Sequence, residues 1–414
     1  MARFVGSSGK RIQFVSTDPV KGSNIFEVPA SLDHLGNSDL MHLARIRDGR
    51  VVESRAVFNN PSDLRVACIA VHKIRCGIAT YSDWLWEAMR PMVKDLHVFA
   101  EEHSDAAEAP GVSHCWKRGQ PLSKLLEAVR AYDPDVVYIQ HEYGIFPDAR
   151  YWLSLLSGLH EFRTVVALHS VYAHKDKTIV EAACSEIIVH SNRAAKELKE
   201  TKKVPGKVHV IPHGTFPTQH GKHWNLYRTP HTLIQFGFGF RYKAYETALE
   251  AVAILKADYP GIFFTGIFSE SAQGRGEMDA YYRDLQERVR ALGIEDNVAI
   301  IRGFQSDESL DAYIRTNRVA LFPYKDNGEH TVFACSGAAL LAMSKGVPVI
   351  ASHVPLFDSL DGVCARPATA QELVTEIRAL FDDAAMQAQV ERQDRYLEEN
   401  RWANAARRYL GVLL

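Results

Sequence analysis

The chain has 414 residues, 46% hydrophobic and 24% charged, with a net charge of −2. That length exceeds one ordinary core and predicts two domains of roughly 150 to 200 residues each. The near-neutral balance gives no electrostatic reason for nonspecific binding to nucleic acid or anionic membrane, and no run approaches the roughly 18 to 20 apolar residues that span a bilayer.

Six singly scattered cysteines lack metal or redox spacing and fit reduced thiols in a cytoplasmic protein. The first residues lack the apolar core of an export signal, so any membrane contact is expected to be peripheral. The sequence leaves the oligomeric state open.

Residues 1–62 carry short β-like runs, "RIQFVS", "IFEVPA" and "VVESRAVF", broken by turn-forming segments, and read as a small β-rich extension. From 63 to 215 the pattern changes to near-continuous apolar strands separated by helix-length segments: "LRVACIAVH", "DLHVFAEE", "DVVYIQHE", "TVVALHS", "EIIVHS" and "KVHVIPHG". Such strands belong to a parallel sheet covered on both faces, a doubly wound Rossmann-like domain. Residues 216–230 are polar and rich in turn formers and read as a linker. The alternation restarts over 231–385, with "HTLIQFGF", "GIFFTGIFS", "VAIIRGF", "VALFPY", "VPVIAS" and "GVCARP" as strands, predicting a second doubly wound domain. Residues 386–414 read as helices with an apolar stripe through Tyr396, Trp402, Ala405, Tyr409 and Leu413, expected to pack back on the first domain. Two such domains face each other across a cleft at the carboxyl ends of their strands, where ligands of these folds bind.

The loops after the strands carry the polar residues. Gly77, in "CGIATYSDWL", allows a backbone at a helix start to approach a ligand. His141, Glu142 and Tyr143 follow one strand, His169 and His174 the next, and His190 and His213 later ones. One such histidine is an ordinary core or cap residue, but four such sites in one half, at His141, His169, His190 and His213, point to the cleft. Ser191 reads as a helix N-cap. In "GFGFRYKAYE", Gly237 and Gly239 form only part of a dinucleotide fingerprint, because position 242 is Tyr. Arg241 and Lys243 suit a diphosphate better. Further on, "GEHTVFACSGAALLAM" offers Glu329, His330, Ser336 and Gly337; a helix starting near Ser336 directs free N–H groups and its positive dipole end toward the same cleft. No D-x-D follows a strand, so no metal is expected.

The succession "CGIATYSDWL", "DVVYIQHEYGIF", "VVALHSVYAH", "IIVHSNRAAKEL", "KVHVIPHG", "GFGFRYKAYETALEA", "IRGFQSDESLDAYI" and "SGAALLAMSKGVPVIAS" resembles the GT-B glycosyltransferases of retaining family 4, over about residues 64 to 385. The resemblance implies transfer of a sugar from a UDP- or GDP-sugar to a hydroxyl acceptor, with retention, without metal and without a prosthetic group. It implies that Lys243, with Arg241, holds the donor diphosphate together with the Ser336 and Gly337 N–H groups. Gly303 and Phe304 would border the base, Gly77 would lie near the diphosphate and His169 near the transferred sugar, while His141 and Glu142 would shape the acceptor side. Two departures stand out. Phe238 occupies the position of a frequent family arginine, and Phe333 and Leu341 occupy the positions of the two glutamates of the family's E-x7-E motif, with Glu329 a partial stand-in for the first.

The acceptor expected is a saccharide or surface polymer. A catalytically silent nucleotide-sugar-binding protein is the competing reading, motivated by the missing glutamates; a transferase acting on a modified nucleic-acid base is a second, disfavoured by the charge.

Overall fold

Alternate residues of the apolar runs go to opposite sides of a sheet, so each run must be covered twice. In the computed structural model Ala67, Ile69, Val137 and Ile139 join one core cluster while Val66, Cys68, Val136 and Tyr138 join another. Leu233, Val319 and Leu321 separate in the same way from Ile234, Ala320 and Phe322 in the second half. The structure describes residues 61–414 apart from 75, 104–108, 147, 173–185, 202–203, 205–206, 221–227, 271–274 and 327–331; before residue 61 it describes strand pairing only.

The first half contains β1 (Arg65–Ala70), β2 (Asp95–Glu101), β3 (Val112–Trp116), β4 (Val136–His141), β5 (Arg163–Leu168), β6 (Glu186–Val189) and β7 (Lys207–Val210). They form one parallel sheet in the order β7-β6-β5-β4-β1-β2-β3. The second half contains β8 (Thr232–Phe238), β9 (Phe263–Ser269), β10 (Val298–Arg302), β11 (Val319–Phe322) and β12 (Val349–Ala351), parallel in the order β10-β9-β8-β11-β12. The strand order reverses beside β1 and beside β8, which places a ligand crevice outside the carboxyl ends of these two strands. Strand β3 was not read from "VSHCW", an edge strand with Ser and His on it; "GVCARP" forms only an isolated bridge, Ala365 to Ile350.

Four helices matter for the site: α1 (Gly77–Met89), α2 (Tyr245–Leu255), α3 (Gly337–Ser344) and the terminal α4 (Trp402–Leu413). The predicted stripe of the terminal segment divides. Leu397 and Tyr396 pack with the second domain, whereas Trp402, Ala406, Tyr409, Leu410 and Leu413 enter the core of the first. Each large side chain buried this way contributes about 1.5–3 kcal/mol. The crossing is sealed at Thr215, whose N–H donates to the Asn400 carbonyl at 2.9 Å and whose carbonyl accepts from the Trp402 N–H at 3.3 Å. Gly214 is required here, since a Cβ would stand 2.2 Å from the Trp402 ring. Before residue 60, Ile25–Glu27, Leu40–Arg47 and Arg50–Phe58 form an antiparallel three-stranded sheet, and Arg3–Val5 pairs with Arg11–Gln13.

The halves also meet by backbone pairing. Val171–Tyr172 and Val332–Phe333 form a two-stranded antiparallel ribbon across the cleft, with Val171 opposite Phe333 and Tyr172 opposite Val332. The Phe333 side chain packs against the first domain's core. An Arg193–Asp358 ion pair of 3.4 Å lies between the same halves.

Candidate functional site

Strand β8 ends at Phe238, and the chain turns through Gly239, Phe240 and a short 3-10 segment, Arg241–Lys243, into α2. The turn buries Lys243 (7% exposed) and sets its ammonium 5.0 Å from the centroid of the Tyr324 ring. No carboxylate pairs with Lys243 among the described residues, and burial lowers its pKa. A buried cation without an acidic partner is costly, and an aromatic face offsets only part of that cost. Such a setting favours an anion beside the ammonium. Gly237 makes room for the ammonium: its φ is +133°, and a Cβ would lie 2.5 Å from Lys243 Nζ.

Arg241 does not share this setting. It is exposed, its guanidinium bonds Asp284 at 2.5 Å, and it covers the Tyr281 ring. The expectation that it helps hold a diphosphate is therefore corrected to a surface ion pair on the outer side of the turn.

Helix α3 begins as read from the sequence. Ser336 is its N-cap, with Oγ accepting from the Ala339 N–H at 3.4 Å, and Gly337 is exposed with nothing within 4 Å of a notional Cβ. Tyr324 lies beside Lys243 on the cleft side. Its ring underlies Lys243, and burial pushes the pKa of its phenol up. A cleft cavity of about 570 Å³ opens beside them, walled by Ser170 and Tyr172 from the first domain and Tyr242, Tyr324, Lys325 and Cys335 from the second. The sequence-predicted residues stand next to this wall rather than in it: Ser170 follows His169, Tyr242 precedes Lys243, and Cys335 precedes Ser336.

On the opposite side, His169 is 7% exposed at the end of β5. Its Nε2 lies 2.5 Å from Gln140 Oε1, and its ring meets Tyr81 edge-on at 4.6 Å and His190 at 5.1 Å. Burial, then the imidazoles of His190, His213 and His141, hold its pKa well below 6.5. It is a neutral imidazole. His213 is pushed to about 3 by the same burial. Glu142 accepts from Ser170 Oγ at 2.7 Å and from the Tyr143 N–H at 3.0 Å, while Tyr143 meets Tyr172 edge-on at 5.0 Å. Gly77 opens α1 behind Cys76, which caps with no side-chain hydrogen bond, and a Cβ on Gly77 would touch nothing.

His141 departs from expectation. It is 0% exposed, stacked on Phe146 at 5.7 Å and edge-on to Trp152 at 4.7 Å, so its ring belongs to the core and not to the cleft surface. Ser191 caps its helix as expected, accepting from the Ala194 N–H at 3.1 Å. Gly303 takes φ +109° after β10 and leaves Phe304 64% exposed. Leu341 packs against the second domain's core, and Phe333 is taken up by the interdomain ribbon. Glu329, His330 and His174 lie outside the described residues. Tyr324, Tyr242, Tyr172 and Gln140 were missed. Tyr324 had a signal, being the first polar-tipped residue after the strand in "VALFPY"; Gln140 had one too, as the lone amide in an apolar strand.

Among the described residues no group of three or more His, Cys, Asp or Glu could hold a metal ion, and no helix is long and apolar enough to cross a membrane.

Two parallel doubly wound domains facing each other across a cleft are the GT-B architecture. Solved structures share this fold. A sucrose-phosphate synthase from Thermosynechococcus elongatus is 19% identical over 84% of this chain and 98% of its own, with a TM-score of 0.62. HepE from Anabaena, solved with UDP, is 14% identical over 84% of this chain and 99% of its own, at 0.61. A glycosyltransferase from Rickettsia africae is 12% identical over 86% and 98%, at 0.64. No curated protein matches by sequence. Residues 77–218 match the model for Glycosyltransferase Family 4 and residues 231–383 that for Glycosyl transferases group 1. The chain belongs to the group 1 glycosyltransferases of the family 4 type.

Proposed function

We propose that this glycosyltransferase moves a sugar from a nucleotide-sugar donor to a hydroxyl of a saccharide or surface-polymer acceptor, with retention and with the diphosphate stabilised by protein groups instead of a metal. The observation that carries the reading is Lys243, a buried ammonium over the Tyr324 ring with no acidic partner among the described residues, on the same domain as the N-terminus of α3. A departing diphosphate needs charge stabilisation that grows as the glycosidic bond breaks; a preoriented ammonium and helix N–H groups at Ser336 and Gly337 supply it without reorganisation. Gly77, at the start of α1 behind a cap with no side-chain hydrogen bond, is the first domain's candidate to face the diphosphate. The exposed Phe304 beside Gly303 is a face on which a nucleobase stacks.

UDP is the preferred nucleotide in this reading, supported by the UDP bound to HepE. Neutral His169 fits a partner for sugar hydroxyls better than a proton donor. Glu142, braced by Ser170, suits the acceptor hydroxyl.

A panel of UDP-, GDP- and ADP-sugars is screened for thermal stabilisation, which a bound donor raises by mass action. The stabilising donor is then incubated with oligosaccharide acceptors, and the anomeric configuration of the product is read by proton NMR. A product with the donor's configuration, formed in the presence of a chelator, is expected. Inversion, or a requirement for divalent cation, would overturn the corresponding part of the reading; donor binding without turnover on any acceptor would favour the silent-binder alternative.

A further inference from the structure

We propose that Gln140 is a positioning residue that fixes the tautomer of His169, leaving Nδ1 as the nitrogen that accepts a hydrogen bond from a sugar hydroxyl. The proposal rests on the function assigned above. Gln140 is the fifth residue of β4, a strand buried throughout, and is 0% exposed between Ile139 and His141. Its neighbours along the strand are Val136, Val137, Tyr138 and Ile139, so packing alone calls for an apolar side chain. Its Oε1 sits 2.5 Å from His169 Nε2, whereas its Nε2 is buried with no partner among the described residues. A carboxamide retained in a core with half of its hydrogen-bonding capacity unused weakens the fold unless the used half has a task.

The task is electrostatic as well as geometric. An amide oxygen beside Nε2 requires a proton there, so the neutral imidazole carries its lone pair on Nδ1. A carboxylate in the same place would favour the imidazolium, which has no lone pair to offer. The other groups facing His169 agree with neutrality: Tyr81 from α1, His190 after β6, His213 after β7 and His141 on β4 bring no negative charge. Strands β4 and β5 pair in register, with Gln140 opposite Ala167 and His141 opposite Leu168, and the His169 N–H donates to the His141 carbonyl at 3.1 Å. The backbone thereby fixes the origin of the imidazole, and the amide fixes its rotation and protonation.

The test uses the full chain and three variants, Gln140→Leu, Gln140→Glu and His169→Ala, with donor affinity read from thermal stabilisation and turnover from sugar transfer. Gln140→Leu is expected to lower kcat about tenfold or more with donor affinity changed less than about threefold. Combined with His169→Ala it adds no further loss, because both remove one device. Gln140→Glu is expected to restore the orientation but raise the His169 pKa, so its kcat falls with decreasing pH in a range where the wild type is flat. Two results overturn the proposal: wild-type kcat and pH profile in Gln140→Leu, or equal losses of kcat and donor affinity that add to those of His169→Ala. A wild-type protein that transfers no sugar from any donor refutes the functional reading instead, and an unchanged Nε2–H signal in the imidazole NMR spectrum of Gln140→Leu refutes the tautomer assignment independently of turnover.

Discussion

Gly237→Ala tests the placement of Lys243 without touching its charge. At φ +133° an alanine is strained by about 1–3 kcal/mol, so the variant is expected to unfold at a lower temperature. The new Cβ would also stand 2.5 Å from Lys243 Nζ, about 1 Å inside contact distance. The backbone cannot easily yield, since Gly237 pairs with Phe268 in the sheet and its carbonyl accepts from the Tyr245 hydroxyl at 3.3 Å. The ammonium must therefore leave the Tyr324 ring. A displaced cation loses most of its attraction for a diphosphate, and donor affinity should fall about tenfold or more, a loss of about 1.4 kcal/mol. Calorimetric titration of the stabilising nucleotide-sugar into wild type, Gly237→Ala, Lys243→Ala and the double variant measures this, with unfolding temperature recorded in parallel. Each single variant should weaken binding, and the double variant should bind no worse than Lys243→Ala alone. Wild-type affinity in Gly237→Ala, or a full additive loss in the double variant, would refute the idea that the glycine acts through Lys243.

Acid stability gives a second expectation. His213 is held near 3 in the folded protein against an ordinary 6.5, so the unfolded chain takes up a proton that the folded chain refuses. The resulting stability is complete above about pH 6.5 and is lost progressively as pH falls toward 3. The unfolding temperature should drop across that window, and His213→Gln should flatten the drop; an equal slope in the variant removes His213 as the cause. A third concerns the crossing of the terminal helix. Gly214→Ala drives a Cβ into the Trp402 ring and should cost about 1–3 kcal/mol, seen as a lower denaturant midpoint at unchanged slope. An unchanged midpoint would mean that α4 is free to shift.

The architecture was legible because period-2 burial on two faces leaves a plain mark: runs such as "DVVYIQH" and "TLIQF" have no polar face, and only a doubly covered parallel sheet tolerates that. The α3 start at Ser336 was legible from local capping chemistry. The cation pair was half legible. Spacing places Arg241 and Lys243 in one turn, but it does not say that a 3-10 turn sends one inward and leaves the other against Asp284, 43 residues away. His141 misled for a similar reason. A polar residue at a strand's end faces the cleft or the core according to which neighbours surround it, and Phe146 and Trp152 closed over this one. Gln140 and Tyr324 act through partners distant in sequence, a relation that no local pattern carries.

The interdomain ribbon gives Phe333 a role unlike the one its position suggested. The family resemblance places a glutamate there, whereas the structure pairs its backbone with Val171 and packs its ring on the first domain's core. An apolar side chain in contact with the opposite domain favours closure, because opening returns its surface to water at roughly 25 cal/mol per Å². A carboxylate in the same place would have to be desolvated to close. Phe333→Asp should therefore shift the domains toward separation while leaving each doubly wound core intact. Small-angle scattering should show a larger radius of gyration, the unfolding temperature of the two sheets should change little, and donor affinity should fall because the groups from α1 and β5 no longer reach the second domain. A donor that restores the wild-type radius at saturation would show that closure and binding are coupled. If Phe333→Asp leaves both the radius and the donor affinity at wild-type values, the ribbon does not hold the cleft closed, and the loss of the expected glutamate has some other reason.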